Sequence, residues 1–127
     1  MVTVQKVFDL QGLVHYLVEP DTAELRAVLD AARSWRDEDL CVFAERRHGY
    51  GNSDGGFGVT YPNDLDDAER EETPLREGEV LVYAFFGPPD GYEFVIGEPL
   101  YLECLAAYLA ALGRAEDADR VRALLPS

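Results

Sequence analysis

The chain has 127 residues, enough for one compact domain of roughly 14 Å radius of gyration but too few for two independent cores. Hydrophobic residues at 47% and charged residues at 28% make a globular balance, which excludes a disordered chain. Twenty-five acidic residues against eleven basic ones leave a net charge of −14, which repels nucleic-acid phosphates and anionic membranes and steers cationic proteins toward the surface.

Val2, Val4 and Lys6 alternate with Thr3, Gln5 and Val7, a β-branched run predicted to pair at a sheet edge. Asp9 then opens Leu10 to Leu17, predicted as a short helix in which His15 packs among apolar neighbours, and Pro20 closes it. From Asp21 or Thr22, with Glu24 in the first turn, Leu25, Val28, Leu29 and Ala32 recur at helical spacing, and Trp35 extends the stripe. Leu40 to Glu45 reads as a strand, with Gly58 to Tyr61 as its hairpin partner across a glycine-rich loop. Val80 to Phe86 is apolar at both alternating positions. Such a strand belongs inside a sheet with something packed on each side, or with one face used by a partner. Gly87-Pro-Pro-Asp-Gly91 supplies turn chemistry, and Tyr92, Phe94 and Ile96 alternate with Glu93 and Val95 in the returning strand. Glu98 and Pro99 introduce a helix whose Leu102, Leu105, Leu109 and Leu112 form a ridge that Gly113 ends, with Tyr101 and Tyr108 beside it. A last helix, Ala115 to Leu125, carries Ala118, Val121, Leu124 and Leu125 on one side. The order predicts a single α+β domain over residues 1–127. It has a mainly antiparallel sheet, helices on the N-terminal side and two C-terminal helices packed on the sheet.

No stretch reaches the roughly 20 apolar residues that a membrane span needs, and the start lacks a basic region followed by a long apolar core. The expectation is a cytosolic chain in which Cys41 and Cys104, both inside apolar patterns, are buried reduced thiols.

The least ordinary feature is the run from Pro62 to Glu79. It places Asp64, Asp66, Asp67, Glu69, Glu71, Glu72, Glu77 and Glu79 against only Arg70 and Arg76. One reading is a solvated connection; the other is an electrostatic face for the arginines and lysines of a cationic protein. The run lacks the glycine-centred calcium loop with its terminal glutamate, so no metal is expected. Arg46 to Gly58 is rich in glycine but has no GxxxxGK[ST] pattern, which argues for a mobile hairpin loop over a phosphate cradle. Exposed Arg47, His48, Tyr50 and Phe57 on such a loop would suit a protein interface. For catalysis, Cys41 and His48 fall on opposite faces of the predicted strand, and His15 and His48 are far apart for zinc. No catalytic set or cofactor site emerges.

The stretch Gly91-Tyr-Glu-Phe-Val-Ile-Gly-Glu-Pro-Leu-Tyr-Leu-Glu-Cys-Leu-Ala-Ala-Tyr-Leu resembles small acidic bacterial immunity proteins of contact-dependent or other polymorphic toxin systems. The likeness lies in the pattern of strand, turn and leucine-rich helix over the last third of the chain. It implies a non-enzymatic inhibitor of a cognate toxin domain, often a nuclease. On that reading Asp64, Asp66, Asp67, Glu69, Glu71 and Glu72 contact a basic toxin, with Arg47 and Tyr50 as anchors. Two alternatives stay open: a small enzyme or ligand-binding domain with a pocket between sheet and C-terminal helix lined by Tyr83, Phe85, Tyr101 and Tyr108, and an accessory subunit that keeps Val80 to Phe86 partly exposed until a partner covers it.

Overall fold

A computed structural model of the chain describes residues 1–52, 56–72, 75–85 and 91–126. Strand β1 (Thr3–Phe8) returns as β2 (Val14–Glu19), antiparallel, with Val4 opposite Val18 and Phe8 opposite Val14. This hairpin replaces the helix predicted over Leu10 to Leu17. Asp9 Oδ1 accepts the N–H groups of Gln11 and Leu13, both at 2.9 Å, and Gly12 adopts φ +80°, so the chain reverses before a helical turn can start. The second strand then alternates Val14, Tyr16 and Val18 inward with His15 and Leu17 outward.

Thr22 caps α1 (Ala23–Arg33) by accepting the Leu25 N–H at 3.2 Å, and the predicted stripe of Leu25, Val28, Leu29 and Ala32 is buried. The helix stops at Ser34, so Trp35 packs from the following segment. Where a strand was predicted over Leu40 to Glu45, the chain forms α2 (Asp37–Arg46). Asp37, Glu38 and Asp39 sit in its first turn, where the helix dipole favours them, and Leu40, Cys41 and Ala44 share its buried side.

The second sheet has strand order β3 (Tyr50–Asn52), β4 (Phe57–Thr60), β5 (Glu79–Ala84), β6 (Tyr92–Gly97), antiparallel throughout. The hairpin partner of β4 is thus β3, and β5 takes the interior position its composition predicted. Residues 53–55 of the glycine-rich loop, and 86–90 with most of the predicted turn, lie outside the described residues. Between β4 and β5 come a 3-10 turn (Pro62–Asp64) and α3 (Asp67–Glu72).

Pro99 lies in the first turn of α4 (Glu98–Ala111), which ends before Gly113 at φ +84° and leads into α5 (Ala115–Arg122). Helix α4 is apolar on nearly every side because it is surrounded: α1, α5, β1, β5 and β6 all pack against it. Its buried Leu102, Leu105 and Leu109 contribute about 1.5–3 kcal/mol each. The resulting α+β fold has helices α1 and α4 between the four-stranded sheet on one side and the β1–β2 hairpin on the other, two sheets in all.

Candidate functional site

The helices cover one face of the four-stranded sheet. On β5, Val80, Val82 and Ala84 point inward at 0–4% exposure, while Leu81 and Tyr83 point outward. Phe85, just past the strand, is 66% exposed, and Val95 on β6 is 49% exposed. The Tyr83 ring lies across the neighbouring strands. A Cβ at Gly58 would stand 2.2 Å from its Cζ and hydroxyl, and one at Gly51 would stand 3.2 Å from the hydroxyl. Glycine at both positions therefore makes the bed on which this ring rests. Tyr83 and Phe85 form a tilted pair with centroids 5.1 Å apart. The four strands carry no lysine or arginine, and their two charged residues, Glu79 and Glu93, both fall on the outward alternation, with Glu93 directly opposite Tyr83.

The acidic connection that joins β4 to β5 divides into two kinds of carboxylate. Asp64 faces inward: Oδ2 accepts the N–H groups of Gly49 and Tyr61, both at 2.8 Å, and Oδ1 lies 2.9 Å from His48 Nδ1. That side chain, 18% exposed, ties the start of β3 to the end of β4. Asp66 and Glu69 cap α3 reciprocally, Asp66 accepting the Glu69 N–H at 2.8 Å and Glu69 accepting the Asp66 N–H at 3.1 Å. Asp67, Glu71 and Glu72 point into solvent from a helix that buries none of its residues, and have no ion pair among the described residues. The D-x-x-E spacing of Asp66 and Glu69 was readable as a capping box. The role of Asp64 was not, because its partners lie across a turn and a strand.

The two expected anchors are placed differently. Arg47, in the left-handed conformation (φ 51°) that terminates α2, pairs with Glu77 at 2.6 Å and Glu98 at 3.0 Å, and lies 6.0 Å from the Tyr61 ring. The Glu77 hydrogen bond holds its guanidinium pKa above the ordinary value. Tyr50 is 8% exposed, stacked on Phe43 at 5.5 Å and against Trp35 at 5.9 Å. Its expected exposure is corrected by α2, which as a helix brings Phe43 against it. The hydroxyls of Tyr50 and Tyr61 are buried without a hydrogen-bond partner of ordinary geometry among the described residues, and burial drives both pKa values upward.

The candidates for catalysis do not converge. Cys41 and Cys104 are free and buried, and burial pushes both thiols up, Cys104 to about 12. His48 is exposed beside Asp64. The strand alternation that set Cys41 apart from His48 is replaced by helix α2, which buries Cys41. Tyr101 and Tyr108 lie on the covered side of the sheet and Tyr83 and Phe85 on the other, so the four do not line one pocket. A groove of about 470 Å³ beside Arg47 has its charged lining paired within the chain, Arg47 with Glu77 and Glu98, and Glu45 with Arg120. Among the described residues no three His, Cys, Asp or Glu side chains gather as an ion site, and no helix is long and apolar enough to cross a membrane. No protein-family model, curated protein or solved structure matches the chain.

Proposed function

We propose that the chain is a cytosolic, non-enzymatic inhibitor of the bacterial immunity type, which binds a cationic partner such as a cognate toxin domain and occludes its basic active-site surface. The observation that carries this reading is α3. A helix that buries nothing and holds Asp67, Glu71 and Glu72 without ion pairs among the described residues contributes little to folding, so its charge is available to a partner. The net charge of −14 supports it by speeding encounter with a positive surface. The test is affinity capture with the purified chain at low and moderate salt, with the product of the neighbouring gene assayed directly. A basic protein should be retained at low salt, be released as salt rises, and lose its own activity when the chain is added in equimolar amount. Reversing Asp67, Glu71 and Glu72 to lysine should weaken capture about tenfold or more. Binding indifferent to both salt and charge reversal would refute it.

A further inference from the structure

We propose that the outward face of the four-stranded sheet receives arginine side chains of a protein partner, with Tyr83 and Phe85 as stacking plates and Glu93 as the counter-charge. Arginine recognition rests here on the cationic partner proposed above and adds which of its side chains is read.

An exposed phenylalanine beside a half-buried tyrosine is the first support. Phe85 is 66% exposed beside Tyr83, at the end of an interior strand whose other alternation is fully covered. The second is that Tyr83 is held in place: Gly58 and Gly51 lie beneath it, where any Cβ would collide with or crowd the ring. A platform fixed before binding loses less freedom when a ligand settles on it. The third is charge. Glu79 and Glu93 are the charged residues of the four strands, and the register sets Glu93 opposite Tyr83, with Cβ atoms about 5 Å apart. Glu93 has no ion pair among the described residues. The hairpin tip offers a contrast, because Phe8 there is exposed but lies 5.7 Å from the ammonium of Lys6 and so carries its own cation.

A guanidinium fits this surface better than an ammonium. It is planar and weakly hydrated, stacks on a ring, and still offers its edge N–H groups to a carboxylate. A second copy of this chain, itself at −14, is repelled, and so is a nucleic acid.

The test compares nona-arginine with nona-lysine, two peptides of equal charge, against the isotope-labelled chain at low salt. Wild type should bind nona-arginine roughly three- to fivefold more tightly than nona-lysine. Arginine-specific amide shifts should fall at Tyr83, Phe85 and Glu93. Phe85→Ser and Glu93→Gln alter outward side chains, should keep the melting temperature, and should each erase the preference. Neutralising Asp67, Glu71 and Glu72 should weaken both peptides and leave the preference intact. Equal binding of the two peptides, or a preference that survives Phe85→Ser and Glu93→Gln, overturns the arginine surface alone. Binding of neither peptide overturns the cationic partner with it.

Discussion

Val82 and Val95 sit on adjacent strands of one sheet, the first fully buried on the side where α1 packs and the second 49% exposed on the opposite face. The same residue type thus serves two ends. Inward, Val80, Val82 and Ile96 close the core against α1 and α4; outward, half-buried Leu81 and Tyr83 lie beside exposed Val95 and Phe85. Apolar character at both alternations of β5 thus reports one face packed in full and one packed in part, with exposed Phe85 at its end.

The two faces differ most when the same charge is placed on each. Val82→Asp puts an unpaired carboxylate at a site of 0% exposure. The penalty of several kcal/mol is comparable with the whole stability of a small domain, so near-ultraviolet circular dichroism should show the fold lost. Val95→Asp keeps its carboxylate in water and should cost about 1 kcal/mol or less by urea unfolding. Equal loss from both would mean that the outward face is structural after all.

A second contrast runs inside the acidic connection. Asp64→Ala removes the acceptor for the Gly49 and Tyr61 N–H groups and should cost about 2–3 kcal/mol. Glu71→Ala, on a helix with no buried residue, should stay within about 0.5 kcal/mol. Matched urea titrations check both, and similar losses would contradict the division of this segment into a brace and a free surface.

The sequence-based reading succeeded where a single local pattern decides the outcome. Thr22 three residues before Leu25, Pro99 at the head of a leucine ridge and Gly113 at its end each fix a helix boundary by their own chemistry. It failed at Leu10 to Leu17, where Asp9 and Gly12 bend the chain by hydrogen bonds and a positive φ that hydropathy does not encode. It failed again at Leu40 to Glu45, where a short apolar run suits strand or helix and the three acids before it decided for the helix. That error moved Tyr50 from the surface into the core. In the candidate site, the doubly apolar strand was legible as an interior strand, whereas the glycine bed under Tyr83 depends on strand pairing between residues 25 positions apart.

The smallest effect lies at the rim, where the Tyr92 hydroxyl donates to Asp30 Oδ2 at 3.3 Å. Desolvation raises the Asp30 carboxyl above its ordinary value of 3.8, outweighing the Tyr92 hydrogen bond and the fields of Arg33 and Arg26. An acid whose folded pKa is raised binds its proton more tightly in the native state. Stability is therefore lost as pH climbs from 3.8 through the folded value, and the loss persists above it. Asn at this position still accepts from Tyr92 but cannot ionise. Asp30→Asn should match wild type below pH 3.8 and gain up to about 0.5 kcal/mol at neutral pH, a modest effect because the site is half open to water. Thermal unfolding across that window reads the difference. A variant less stable than wild type at pH 7 would mean that the charge itself, through Arg26 and Arg33, stabilises the rim, and that the boundary between covered and open faces lies further out than Tyr92.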